Sequence, residues 1–148
     1  MLHFDAHFHN ILTDGNHLYF SDFGLATSSK FELSEEEREF FNYHRDYDSY
    51  SATTNFLHCL VTHHAGKDKW IESLHELLSE NFQKLPPYFA AIIKRYAPTA
   101  LLMDKFFRDL QKDKTTAYPV KELERAWNVV EKIVTYQIKT KRAWPSPS

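Results

Sequence analysis

Asp5, Asn10 and Asp22 are the residues of this chain whose types and spacing could do chemistry. They lie in the segment HFDAHFHNILTDGNHLYFSDFGLA, His3 to Ala26. Asp5 and Asn10 stand five apart, and Asp22 follows Asn10 by twelve. Carboxylate and amide oxygens are hard donors of the kind Mg²⁺ prefers. Phosphoryl transfer asks a protein mainly for positioning and charge neutralisation. In that chemistry Asp5 is the base that orients or deprotonates an acceptor hydroxyl, and Asn10 and Asp22 hold the metal.

A second chemistry competes on the same residues. Asp5, His7 and His9 spell D-x-H-x-H. On a strand, His7 and His9 would share a face and could bind one Zn²⁺, as in metal-dependent hydrolases. That architecture is an eight-stranded barrel of about 250 residues, and His63, His64 or His75 would have to complete the site from helices. The plainest alternative is that Asp and Asn in loops form turns, their side chains bonding nearby backbone. Asp14 and Asn16 are read that way.

The elements that must position these groups fall into two blocks. Up to about residue 30, short β-type runs at His9–Leu12 and Leu18–Ser21 flank Thr13-Asp14-Gly15-Asn16. Asp-Gly between apolar runs signals a hairpin, because it tolerates the positive φ of tight turns. From residue 34 the pattern is helical. Ser34 and Glu37 form a capping box that opens a helix ending near Tyr43. Phe56, Leu57, Leu60 and Val61 give Tyr47–His64 a helical period, and Gly66 stops it. Asp68 can cap the next helix, with Trp70, Ile71, Leu74, Leu77 and Leu78 inward. Pro86-Pro87, Pro98 and Pro119 each suit a first helical turn, predicting helices over about 87–96, 99–111 and 119–141. The tail AWPSPS is frayed. The expected fold class is mainly α with a small β-hairpin. His58, His63, His64 and His75 are scattered on helices, and Cys59 is expected as a small core residue.

HFDAHFHNIL followed by LYFSDFGLA resembles the catalytic loop and metal-binding segment of kinase-like phosphotransferases. The form His3-x-Asp5-x-His7-x-x-Asn10 is more similar to aminoglycoside phosphotransferases and choline kinases than to eukaryotic protein kinases. Asp22-Phe23-Gly24 matches both branches. The resemblance implies that the chain is one domain, residues 1–148, corresponding to the C-lobe of that fold. Residues 1–30 would be the catalytic loop and metal-binding hairpin, and 34–142 the helical body. It implies ATP and Mg²⁺ as cofactors, Asp5 as catalytic base, Asn10 and Asp22 as metal and cofactor ligands, and His3, His7 and Gly24 as structural support. His44-Arg45-Asp46 spells the protein-kinase tripeptide, but the matching asparagine position is Ser51, so it reads as a charged helix end. Arg45 to Asp48 falls where these enzymes start a helix; its acids could cap that helix or face the acceptor site, and capping is the expected role.

The resemblance also implies an N-lobe that supplies a phosphate-covering loop, a lysine and a glutamate. Only two residues precede His3, and Gly15, Gly24 and Gly66 are dispersed. The expectation is therefore a truncated or split kinase-like phosphotransferase, poor or inactive alone, or a non-catalytic interaction module. An N-lobe-bearing partner chain or self-association would cover the exposed apolar surface.

The totals agree with a packed globule: 148 residues, 43% hydrophobic and 16% aromatic. A net charge of -2 gives no footprint for nucleic acid or an acidic membrane. Cys59 is the single cysteine, which excludes an internal disulfide and fits a reducing compartment. No apolar run approaches the ~20 residues of a spanning helix, and no secretory leader is visible. A soluble cytoplasmic protein is expected.

Overall fold

The structure, a computed structural model, describes residues 1–65, 69–79 and 85–128. It is mainly helical, with one small antiparallel sheet. The chain begins with a loop and a single turn of 3-10 helix at Phe8–Asn10, then strands β1 (Ile11–Thr13) and β2 (Leu18–Phe20). Four helices follow: α1 (Glu35–Tyr43), α2 (Tyr47–Ala65), α3 (Trp70–Ser79) and α4 (Pro87–Lys112). Residues 120–128 are also helical.

The hairpin pairs Ile11 with Phe20, Leu12 with Tyr19 and Thr13 with Leu18. Its loop is therefore the four residues 14–17 rather than a two-residue primed turn, and only Gly15 takes a positive φ there, +93°. Asp14 organises that loop as an Asx turn. Its Oδ1 accepts the N–H groups of Asn16 and His17 at 2.9 and 2.8 Å. An isolated antiparallel bridge between Leu2 and Thr27 closes the whole N-terminal segment on itself.

Ser34 caps α1 with both halves of the capping box, as its sequence predicts. α2, α3 and α4 make the body. Leu57 and Val61 of α2, Leu74 and Leu77 of α3, and Ile93, Ala97 and Ala100 of α4 form one buried cluster. Each fully buried aliphatic side chain contributes about 1.5–3 kcal/mol, which is why three amphipathic helices of moderate propensity hold together. A second cluster joins Tyr50, Met103, Phe106, Tyr118 and Leu123, fastening the segment after α4 to the starts of α2 and of 120–128.

Two expectations are corrected. Pro98 does not open a new helix; α4 runs through it as 26 residues. Pro98 is exposed, while Ile93, Ala97, Thr99, Ala100, Met103 and Phe106 keep one buried face on either side of it. Continuous burial of that face outweighs one missing N–H. Cys59 is exposed rather than in the core, because the inward face of α2 is set by Leu57 and Val61. Gly66, Asp68 and residues 129–141 of the expected last helix, with the tail, lie outside the described residues.

Candidate active site

The loop before β1 folds largely on its own backbone. His7 N–H donates to Asp5 O at 2.8 Å, and Asn10 N–H donates to His7 O at 2.9 Å. This turn carries Asn10 back onto Asp5. The Asn10 side chain, on a buried residue, donates from Nδ2 to Asp5 Oδ2 at 2.9 Å and to Asp5 O at 3.0 Å. With its nitrogen engaged by a carboxylate, the amide turns its oxygen away from Asp5. His7 Nε2 approaches the other oxygen of Asp5, Oδ1, at 3.4 Å. Asp5 is thus held from two sides.

Asp22 follows directly on the hairpin. The pairing continues one step past β2, where Ser21 N–H donates to Asn10 O at 2.9 Å. Asp22 is the next residue, with an exposed side chain. Its backbone is left-handed, φ 56°, a conformation uncommon outside glycine. Its Oδ1 accepts a long bond from Gly24 N–H, 3.4 Å, and a Cβ on Gly24 would crowd that oxygen at 3.3 Å. Gly24 thereby leaves room for the Asp22 carboxylate.

His3 braces the segment from below. It is buried, with Nε2 donating to Ser21 O at 2.9 Å. Its ring packs against Phe20 and Phe23 at centroid distances of 5.5 and 5.0 Å. The tautomer that donates from Nε2 leaves Nδ1 without a hydrogen, buried and without a partner among the described residues.

Asp48 has a different role from the helix cap expected of it. Its carboxylate accepts the N–H groups of His3 and Phe4 at 2.6 and 2.8 Å, across 45 and 44 residues of sequence. This clamp fixes Phe4 in a left-handed conformation, φ 62°. For an L-residue that costs roughly 1–2 kcal/mol, and two bonds to a charged acceptor offset it. Burial, with Asp48 and Asp5 nearby, raises the Tyr47 phenol above its usual range. An acid in the first turn of a helix was visible in the sequence; its partners were not, since nothing local links residue 48 to residues 3 and 4.

The residues fit Mg²⁺ better than Zn²⁺. The Asn10 amide oxygen and the Asp22 carboxylate are hard donors, and Mg²⁺ takes few protein ligands, keeping waters and phosphate oxygens for the rest. The hydrolase alternative needs His7 and His9 on a strand, but His9 lies in the 3-10 turn and His7 precedes it. The two rings meet edge to face at 5.6 Å. Among the described residues no group of three His, Cys, Asp or Glu side chains could hold a metal ion. His58, His63, His64 and His75 are all exposed on α2 and α3. His44-Arg45-Asp46 forms the corner between α1 and α2, with Arg45 paired to Asp46 at 3.2 Å. Comparison with protein-family models, curated proteins and solved structures finds no match for this chain.

Proposed function

We propose that this chain carries the acceptor and magnesium side of a kinase-like phosphotransferase site, on the C-lobe portion of that fold. The observation that carries the reading is the tie from Asn10 Nδ2 to Asp5 Oδ2, with Asp22 one residue beyond the backbone partner of Asn10. Mg²⁺ bound with ATP would neutralise phosphate charge and fix its oxygens. The chain's own groups do the rest. Asn10 and Asp22 offer the metal oxygens. Asn10 also holds Asp5 so that one carboxylate oxygen faces an acceptor hydroxyl and takes its proton. His3 and Asp48 hold the two strands of the loop in register.

Holding a γ-phosphate in line needs a second wall. Gly15, Gly24 and Gly66 each stand alone, so a glycine-rich covering loop has to come from another polypeptide segment. The purified chain is therefore expected to turn over ATP poorly by itself. A partner bearing a phosphate-binding lobe, such as the product of a neighbouring gene, should restore turnover that disappears in Asp22→Ala. Mn²⁺ tests the metal separately as a paramagnetic substitute for Mg²⁺. It should broaden the NMR signals of Asp5, Asn10 and Asp22 first, and Asp22→Ala should abolish this. Broadening centred on His7 and His9 instead, surviving Asp22→Ala, would sink the reading. An ATP-dependent activity fits a cytoplasmic protein; among the described residues no helix is long and apolar enough to cross a membrane.

A second reading, an interaction module without catalysis, is favoured by the surface of the same segment. Leu12, Leu18, Tyr19, Phe20, Phe23 and Leu25 are all exposed. An apolar patch of this kind marks a surface that another chain covers. The partner can be the phosphate-binding lobe itself or a second copy.

A further inference from the structure

α1 differs from the other helices of the structure in having no buried residue. Its helicity is secured locally, by the capping box of Ser34 and Glu37 and the acids of its first turn. Its attachment is concentrated at the opposite end. Phe40 lies 4.1 Å from the His44 ring, and His44 stacks on Tyr118 at 4.8 Å. Tyr43 donates its hydroxyl to Tyr118 O at 2.8 Å. On the remaining side an open groove of about 490 Å³ separates Glu39 and Asn42 of α1 from Lys121 and Glu124. A helix fastened by one edge of rings, beside open space, moves as a unit more readily than one buried in the core.

The same rings touch the loop of the candidate site. Phe4 packs against Phe40, His44 and Tyr47 at 5.6, 5.9 and 5.3 Å. Phe4 is the residue held in the left-handed conformation, and Asp5 follows it directly. Three supports therefore hold Phe4 in place: the Asp48 carboxylate on its N–H, Tyr47 at the start of α2 on one part of its ring, and Phe40 and His44 at the end of α1 on another.

We propose that α1 is a latch on the Asp5 loop. When it is docked, Phe40 and His44 complete the seat of the Phe4 ring and keep Asp5 facing Asn10. When it swings out, Phe4 loses that side of its seat and relaxes, and the tie between Asp5 and Asn10 loosens while the α2–α4 body stays folded. The bistable part is the ring contact at Phe4, and the groove provides the space for the motion. The proposal concerns the conformation of the loop and stands whether or not the loop transfers phosphate.

Native-state amide exchange of the whole chain, read by NMR without ATP or metal, tests it. In the wild type, amides of α1 should exchange faster than those buried in α2 and α4. In Phe40→Ala, α1 should exchange about tenfold faster again, as expected for loss of its two ring contacts, to Phe4 and His44. The amides of His3, Phe4 and Asn10 should accelerate with it, and those of α2 and α4 should not. Tyr43→Phe, which removes only the bond to Tyr118 O, should move the same amides in the same direction by less. Unchanged His3, Phe4 and Asn10 amides in Phe40→Ala would overturn the coupling. Opening of α1 only together with α2 and α4, or unfolding of the whole body by Phe40→Ala, would overturn the latch.

Discussion

Asp48 is the side chain that ties the start of the loop to the helical body. One carboxylate accepts two backbone N–H groups, those of His3 and Phe4. Bonds to a charged acceptor contribute about 1.5–3 kcal/mol each and do not add fully. Asp48→Ala should lower unfolding stability by about 2–4 kcal/mol in urea, and Asp48→Asn, which keeps one acceptor, by less. A change in Asp48→Ala below about 0.5 kcal/mol, the size of an ordinary surface substitution, would show that the clamp does not hold the loop. Asp14 makes a smaller, pH-dependent clamp. The N–H groups of Asn16 and His17, then the Tyr19 hydroxyl, lower its pKa from 3.8 to about 2. A depressed carboxylate pKa gives stability that is full above the unfolded value and lost as pH falls through the folded one. The Asn16 amide signal should therefore stay constant down to about pH 4 and shift with a midpoint near pH 2. A midpoint near 4, or a matching shift in Asp14→Asn, would count against it.

Among the elements, α4 shows how burial overrides propensity. Pro98 sits inside a 26-residue helix, where it removes one backbone bond and presses on the carbonyl of Lys94. Because the residue is exposed, Pro98→Ala touches no core contact. It should stabilise the protein by about 1–2 kcal/mol, less than the full helix-interior penalty because alanine also frees the unfolded chain. A melting temperature unchanged or lowered would mean that the bend at Pro98 is needed to seat Ile93 and Met103 together. The hairpin shows the opposite balance. β1 and β2 are three residues each, and Leu12, Leu18, Tyr19 and Phe20 stay exposed. Its polar loop and the pairing of Ser21 with Asn10 hold it, with burial adding little.

The whole molecule divides between a well-packed helical body and an N-terminal segment rich in uncovered apolar groups. The body is held by two buried clusters on α2, α3, α4 and 118–127. The N-terminal segment exposes Leu18 by 69% and Leu25 by 66%. Association through that surface should be concentration-dependent. Sedimentation velocity should show assemblies of the wild type, or its capture by a lobe-bearing partner, that Leu18→Lys and Leu25→Lys together abolish with the helical signal intact. Assembly unaffected by both lysines would place the interface elsewhere.

Periodic and local features were legible in the sequence. The ends of α1 and the start of α2 follow from the capping box and the apolar period, and the hairpin from Asp14-Gly15, because each signal acts within a few residues of the structure it creates. The closeness of Asp5 and Asn10 was legible for a related reason. Asn10 meets Asp5 through one turn of chain, and a single hairpin brings Ser21, the residue before Asp22, onto the backbone of Asn10. Tertiary structure alone decided the rest. Asp48 reached back 45 residues to His3, Tyr118 met Tyr43 across 75, and α4 ran through Pro98 because a shared buried face spans it. Cys59 faced outward because Leu57 and Val61 had already fixed the inner side of α2. Such outcomes depend on which surfaces meet after the helices pack, and sequence spacing carries no record of that meeting.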